Sequence, residues 1–172
     1  VLTMPNALKG SGILYNYPEL RAKDFMEAIN NKEVKAIICN IGGNDTIRLL
    51  PYIDFNAIKN NPKVFMGYSD STVNHFMMYK AKVSSYYGPT IMCEFAENYK
   101  MHEYTKKYIN EVLFDNKENI TIESSLKWTN EFLDWINEDY DNVERKMNDE
   151  TNGFELLQGN VNFEGELLGG CI

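Results

Sequence analysis

The chain has 172 residues, of which 44% are hydrophobic and 13% aromatic, so it is long enough to bury the core of one domain, with or without a short appendage. Its formal net charge of −8 disfavours a nucleic-acid backbone or an anionic membrane surface as the main partner. Its three cysteines lack C-x-x-C spacing, which favours neither a disulfide framework nor a zinc ribbon and fits a cytoplasmic location. The sequence also lacks an apolar run of membrane-spanning length and the pattern of an export signal. We therefore expect a globular protein with neither a nucleic-acid nor a membrane partner.

Short strands and helices alternate along the first part of the chain. The predicted elements are, in order, a helix at 17–30, a strand at 34–39, a short helix at 56–60, a strand at 64–67, a helix through 75–79, a turn or strand end at 86–89, and a long helix from about 97 to 114. Pro18 near its first turn supports the first helix, and Pro62 ends the short one. Alternation of this kind is typical of βα units around a parallel sheet. The sequence therefore predicts an α/β fold of flavodoxin-like or Rossmann-like type.

The character of the sequence changes in its last third. Residues 1–114 carry the alternating pattern, whereas residues 115–172 are more polar, acidic and aromatic. The second segment ends with two short strand-like runs, at 154–158 and 166–168, separated by glycines. We therefore expect an α/β domain over 1–114 and, over 115–172, an acidic aromatic segment that links it to something further on.

The segment 62–72 predicts a buried strand that turns abruptly, at Ser69, into a helix. A strand-to-helix elbow lifts a serine hydroxyl clear of the sheet and sets it at a helix N-terminus, where unpaired N–H groups favour developing negative charge. Gly67 leaves room for the tight turn. Residues 69–72 are also all good helix N-cap residues, so the same pattern fits a plain helix start. From the local pattern, a nucleophilic serine and a structural cap both stay open.

A second glycine-bearing turn, Gly42-Gly43, also follows a predicted strand. In a parallel sheet both turns lie at the carboxyl edge, so the N–H groups of one turn can face the serine of the other. Two N–H donors directed at one oxygen are what an oxyanion hole requires. A plain tight turn is the alternative for Gly42-Gly43. The segment matches neither G-x-G-x-x-G nor a P-loop, so no nucleotide cofactor is expected.

A serine nucleophile needs a general base, and the chain has two histidines, His75 and His102. His75 lies six residues beyond Ser69 in the same predicted helix, about 9 Å along its axis and on another face, which makes it a packed or surface histidine. His102 lies among charged residues and is interpreted as solvated. Cys93 and His102 have no spacing typical of a metal site. We expect no metal and no cofactor, and a base that lies outside this chain.

Six segments form an ordered set of motifs along the chain. They are Ile41-Gly42-Gly43-Asn44, 49–54, 61–72, 87–89, 128–135 and 165–170. Together they resemble the serine LD-carboxypeptidases and, more closely, the microcin C immunity proteins, over nearly the whole chain. The resemblance implies that Ser69 is the nucleophile and that the backbone N–H groups of Gly43 and Asp70 form the oxyanion hole. It also assigns Gly42 and Asn44 to substrate binding.

The resemblance further implies a two-domain serine peptidase that forms a homodimer. Its triad is completed by a glutamate and a histidine of a C-terminal domain, which begins just after the position of Gly169-Gly170. Because this sequence starts at Val1 and stops at Ile172, we expect a piece truncated at both ends and inactive by itself. Cys171 occupies a position where the family usually has asparagine.

The tryptophans bear on the choice of substrate. In the immunity proteins a tryptophan stacks on the adenine of an aminoacyl-adenylate-like toxin, and Trp135 matches that position. Stacking on a base contributes about 1–3 kcal/mol. The alternative is that Trp128 and Trp135, seven residues apart, form one apolar helix face packed on the core. We expect cleavage of an amide in an aminoacyl-nucleotide through a Ser69 acyl-enzyme; a murein tetrapeptide substrate and a non-catalytic binding module are the alternatives.

Overall fold

The computed structural model describes residues 1–115, 117–160 and 162–171. Outside the described residues lie three positions of the predicted linker segment: Asn116, Val161 and Ile172. None of the helices within the described ranges has the length and apolarity that crossing a membrane requires.

The chain folds into two compact units. Unit 1 comprises Val1–Cys93 and the described residues from Leu167 onward, and unit 2 comprises Glu94–Glu166. The units divide after Cys93, whereas the sequence predicts a domain boundary after residue 114. The assignment of 115–172 as a linker towards a further domain stays a prediction.

Unit 1 contains most of the regular structure. Its helices are α1 (Ser11–Asn16), α2 (Pro18–Asn30), α3 (Phe55–Asn60) and α4 (Thr72–Lys80), and its strands are β1 (Ala36–Ile38), β2 (Val64–Gly67) and β3 (Tyr86–Tyr87). Short 3₁₀ segments lie at Thr46–Tyr52 and Ser69–Ser71. Pro18 begins α2, as its preset φ favours at a first helical turn. Asp54 caps α3, because its carboxylate accepts the N–H groups of Asn56 and Ala57 at 2.9 and 3.0 Å.

The strands of unit 1 form one parallel sheet in the order β1-β2-β3. Ile38 pairs with Met66, and Gly67 pairs with Tyr87. This register sets the carboxyl ends of β1 and β2 side by side, so the loops that follow them start from the same edge of the sheet. The segment expected as a turn or strand end at 86–89 supplies β3. The predicted α/β fold with a parallel sheet is confirmed.

The core of unit 1 lies between the sheet and the helices α2, α3 and α4. Its buried members are Phe25, Ile29, Ile58, Phe65, Met78 and Ala81. Phe65, on β2, meets the ring of Phe25 edge-on at 6.0 Å between centroids and the ring of His75 at 5.1 Å. These contacts pack β2 against α2 and α4. β2 is the strand that leads to Ser69.

Unit 2 has less regular structure. Its elements are α5 (Glu103–Leu113), β4 (Lys127–Trp128), a 3₁₀ segment at Glu138–Tyr140 and β5 (Asn148–Asp149), and a short π-helical segment at Ile91–Phe95 precedes them. β4 and β5 pair antiparallel. Glu97 lies outside α5, with its Oε1 2.9 Å from Arg145 Nε and its Oε2 3.5 Å from His102 Nε2.

Two expectations for the second half of the chain, and one alternative, are wrong. The helix predicted from about residue 97 begins at Glu103, because residues before it are held by tertiary ion pairs rather than by helical bonds. The strand-like runs at 154–158 and 166–168 lie outside any strand of the described chain, and Leu157, for example, is 87% exposed. Without a neighbouring strand to cover them, alternating apolar residues do not form a sheet. The alternative for the tryptophans, one helix face through Trp128 and Trp135, also does not form.

Candidate active site

Ser69 lies where β2 passes into α4, in a segment that we call the serine turn (residues 67–72). Its φ of 60° is in the left-handed region, which costs a residue other than glycine on the order of 1–3 kcal/mol. The serine main chain is held on both sides. Its N–H donates to Tyr87 Oη at 3.1 Å, and its carbonyl accepts from Thr72 Oγ1 at 2.6 Å. An unfavourable conformation that is secured in this way is typical of a functional position.

The glycine loop (residues 41–46) follows β1 and touches the serine turn. A Cβ at Gly42 would lie 2.8 Å from Ser69 Cβ and 3.0 Å from Ser69 Oγ. The backbone of Gly42 therefore occupies space that any side chain would take from Ser69. At Gly43, a Cβ would lie 3.0 Å from Asp70 Oδ2. The structure thus brings together Gly42, Gly43, Ser69 and Asp70, which the sequence places in one candidate site.

The carboxylate of Asp70 joins the two loops. Its Oδ2 accepts hydrogen bonds from the N–H groups of Asp45 and Thr46, each at 3.0 Å, and from Thr46 Oγ1 at 2.6 Å. Arg21, on α2, pairs with the Asp45 carboxylate and donates from Nη2 to Thr46 Oγ1 at 2.8 Å. The Arg21 guanidinium, on α2, therefore binds the last two residues of the glycine loop, Asp45 and Thr46.

Tyr87 links Ser69 to the last described residues of unit 1. Its phenolic oxygen accepts from the N–H groups of Ser69 and Cys171, the latter at 3.0 Å. Burial, the largest single effect, raises the pKa of the Tyr87 phenol, but the hydrogen bonds with Cys171, Ser69 and the Thr72 side chain together lower the pKa below its usual value. A Cβ at Gly170 would lie 2.5 Å from Thr72 Oγ1 and 2.6 Å from Tyr87 Cε2. Only a glycine lets the segment from Leu167 pass so close to the serine turn.

His75 is buried behind the serine turn. Its Nε2 lies 2.9 Å from the Gly67 carbonyl oxygen and its Nδ1 lies 2.8 Å from Ser85 Oγ. Because a carbonyl only accepts, Nε2 carries the proton and Nδ1 of the neutral ring accepts from Ser85. Burial lowers the pKa of His75, and the bond to Gly67 offsets part of that effect. Both ring nitrogens are thus engaged away from Ser69 Oγ, as expected for a packed histidine.

His102 differs from the expectation of a solvated histidine. It precedes α5 in unit 2, with its side chain 32% exposed and its Nε2 3.5 Å from Glu97 Oε2. Glu97 precedes α5, so its contact with His102 is not a contact along a helix face. Among the described residues, no three His, Cys, Asp or Glu side chains are grouped so as to hold a metal ion.

The remaining predicted site residues are Asn44 and Trp135. Asn44 is exposed in the glycine loop, next to Gly43. Trp135 lies in a turn of unit 2 and is 49% exposed, and Trp128, on β4, is 46% exposed. The interpretation of the two tryptophans as one buried helix face is therefore wrong.

The sequence patterns indicate no separate role for Arg21, Tyr87 or the Asp70 carboxylate. Tyr87 belongs to one of the quoted motifs, followed by Gly88 and Pro89, which is the one sequence signal that pointed towards it. Arg21 sits on the polar side of a predicted helix, where an arginine is ordinary. Its contacts depend on residues two dozen positions away, so periodicity does not reveal them.

A family model described as the LD-carboxypeptidase N-terminal domain matches residues 1–88. The microcin C7 self-immunity protein MccF of Escherichia coli is 31% identical over 154 residues, which are 88% of this chain and 44% of that protein. A probable murein peptide carboxypeptidase of Bacillus subtilis is 37% identical over 87 residues, which are 49% of this chain and 27% of that protein. The chain thus spans less than half the length of these curated relatives.

A solved structure of an MccF-like protein from Streptococcus pneumoniae, in complex with AMP, has the same fold. It superposes with a TM-score of 0.87 and 34% sequence identity, over 99% of this chain and 50% of that chain. The shared α/β fold and the matched segment agree with the motifs around Ser69. The chain therefore belongs to the LD-carboxypeptidase family.

Proposed function

We propose that the complete protein is a serine hydrolase that cleaves the amide bond between an amino acid and a nucleotide through an acyl-enzyme on Ser69. The observation that carries this proposal is the left-handed serine at the end of β2 with the Gly42 backbone against its hydroxyl. A serine turn of this kind exposes Oγ at the sheet edge, beside the N–H groups of a neighbouring loop.

In the proposed reaction, Ser69 Oγ attacks the carbonyl carbon of the scissile amide and loses its proton to a general base. The N–H groups of Gly43 and Asp70 stabilise the oxyanion of the tetrahedral intermediate, and the amine leaves with a proton. Water then hydrolyses the ester and releases the amino acid. Since His75 is engaged by Gly67 and Ser85, we propose that the base is a histidine, oriented by a glutamate, of a C-terminal domain. This chain alone is then inactive.

The nucleotide part of the substrate is proposed from two observations. The S. pneumoniae relative binds AMP, and the MccF relative is a microcin immunity protein. In this chain, Trp135 is half exposed and so presents a ring that can stack on adenine. We further propose that the protein is cytoplasmic and acts as a homodimer, as the family resemblance implies.

A murein peptide is the second candidate substrate. It is favoured by the B. subtilis relative, whose match has the highest identity of the three quoted and covers half of this chain. Both substrates would use the same Ser69 chemistry, since each loses an acyl group from an amide. They differ in the leaving amine, which is a nucleotide derivative in one case and a D-amino acid in the other.

The test is hydrolysis of an aminoacyl-sulfamoyl adenosine and of a murein tetrapeptide, followed by mass spectrometry. The complete protein, its Ser69→Ala variant and this chain alone are compared. We expect Ser69→Ala to lower kcat by about 10⁴-fold or more. Ser84→Ala, at an exposed serine of the same unit, is the matched control and should retain full activity. Equal activity of Ser69→Ala and Ser84→Ala would reject the nucleophile, and binding without turnover would favour a non-catalytic module.

The substrate class is tested by Trp135→Ala in the complete protein. Loss of stacking should raise KM for the nucleotide substrate by about 5- to 150-fold and leave KM for the tetrapeptide unchanged. Trp128→Ala, at the other half-exposed tryptophan, is the matched control. If turnover of the tetrapeptide alone is found, the murein assignment replaces the nucleotide one.

A further inference from the structure

The side chain of Asp70 makes contacts that the proposed reaction does not use. In that reaction Asp70 contributes its backbone N–H, whereas its Oδ2 accepts three hydrogen bonds from Asp45 and Thr46, at 2.6 to 3.0 Å. A carboxylate oxygen that accepts several N–H and O–H donors forms charge-assisted bonds, which are shorter and stronger than neutral ones. Asp70 therefore ties the serine turn to the glycine loop.

The partners of Asp70 are themselves held. Thr46 is 3% exposed, and its hydroxyl donates to Asp70 while it accepts from Arg21 Nη2. Asp45 pairs with Arg21, and the exposed fractions of the two side chains are 12% and 26%. Because Arg21 belongs to the core helix α2, the glycine loop is clamped between that helix and the Asp70 carboxylate.

The clamp acts close to the proposed oxyanion donors. A Cβ at Gly43 would lie 3.0 Å from Asp70 Oδ2, so the main chain of Gly43 lies directly against the carboxylate. One proposed donor is the N–H of Gly43 and the other is the N–H of Asp70 itself. The spacing between the two donors thus depends on the same side chain that joins the loops.

We propose that the Asp70 carboxylate is a positioning residue that holds the glycine loop against the serine turn and thereby sets the spacing of the Gly43 and Asp70 N–H groups. Its catalytic consequence rests on the proposed function. An oxyanion hole works because its donors are fixed before the reaction begins. A misplacement of about 1 Å in such a site costs about 10²-fold in rate.

The experiment compares Asp70→Asn and Asp70→Ala with wild type in the complete protein. Amide hydrogen exchange of residues 43–46 reports the clamp without any need for turnover, and kcat and KM are measured in parallel. Asn retains an oxygen acceptor but loses the charge, whereas Ala loses all three hydrogen bonds. We expect exchange at 43–46 to accelerate in the order wild type, Asn, Ala, and kcat to fall in the same order, by about 10²-fold for Ala, with KM changed less than about 3-fold.

Asp54→Ala is the matched control. Asp54 is also a carboxylate that accepts two backbone N–H groups, those of Asn56 and Ala57, but it caps α3. Its substitution should accelerate exchange at 56–57 and leave both kcat and exchange at 43–46 unchanged.

Two results would overturn the inference. One is unchanged exchange at 43–46 in Asp70→Ala, which would mean that the carboxylate does not hold the loop. The other is faster exchange with wild-type kcat, which would mean that holding the loop does not matter for the donors. If wild type hydrolyses neither substrate, the proposed function fails, while the exchange data still decide whether Asp70 holds the loop.

Discussion

Unit 1 and unit 2 differ in how they bury apolar side chains. Unit 1 packs its helices on a parallel sheet, and residues such as Phe65 and Ile58 are almost fully buried. In the described part of unit 2, Leu133 is the one apolar side chain that is buried, while Phe132 and Ile136 beside it are 75% and 90% exposed. Apolar burial is therefore concentrated in unit 1, which carries Ser69 and the glycine loop, whereas many aromatic side chains of unit 2, such as Phe132, are exposed.

Phe65→Ala should have the largest effect on stability. Phe65 is 1% exposed and contacts Phe25 and His75, so its truncation should lower the free energy of unfolding by about 3–5 kcal/mol. Phe132→Ala, the same substitution at an exposed position of unit 2, should change it by about 0.5 kcal/mol or less. Urea denaturation measures both. Similar losses for the two variants would contradict the difference in apolar burial between the two units.

Gly67→Ala should have an intermediate effect. The added Cβ would lie 2.8 Å from Cys39 Sγ and 3.1 Å from Ser71 Cβ, and such overpacking costs about 1–3 kcal/mol of unfolding free energy. A Cβ at Gly165, in unit 2, would have open space around it, so Gly165→Ala should leave the free energy of unfolding unchanged. Thermal denaturation of the pair checks this. A destabilised Gly165→Ala protein, or an unaffected Gly67→Ala protein, would contradict it.

The smallest effect is a pH dependence that arises from His75. Since burial lowers its pKa in the folded state, the unfolded chain binds the proton more readily. The contribution of His75 to the free energy of unfolding is therefore fully present above the unfolded pKa of about 6.5. It is lost as the pH falls from there through the folded pKa. From this one group, the free energy of unfolding changes with pH by at most about 1.4 kcal/mol per pH unit.

Chemical denaturation between pH 7.5 and 5.5 measures that slope. His75→Gln should flatten it, whatever its effect on stability at neutral pH. Ser84→Ala, at an exposed serine of unit 1, removes no titratable group, so it is the control and should leave the slope as in wild type. An unchanged slope in His75→Gln would show that other groups cause the pH dependence.

Part of unit 1 is predictable from the sequence because β2 is a buried apolar run, and because β1 and β2 both lead into glycine-bearing turns. The strand 64–67 and the bend at Ser69 are found where the pattern predicts them. Gly42 lies close to Ser69 because β1 and β2 are parallel neighbours, so the loops that follow them start at the same edge of the sheet. The resemblance to the LD-carboxypeptidases is confirmed by the family match over residues 1–88.

The contacts that hold the loops are not predictable in the same way. Asp70 is bound by Asp45 and Thr46, and no periodicity relates these positions. In unit 2, the spacing of Trp128 and Trp135 suggested a helix, but half-exposed rings have no buried surface to enforce one. Local patterns therefore fail where burial is shallow and where polar side chains bridge distant segments.

The bond between Ser69 N–H and Tyr87 Oη has a consequence for the order of folding. Tyr87 belongs to β3, and parallel neighbours are joined by long crossovers whose closure is slow. The left-handed serine is thus secured after β3 has docked on β2. The left-handed conformation of Ser69 therefore depends in part on a tyrosine of the neighbouring strand, 18 positions along the chain.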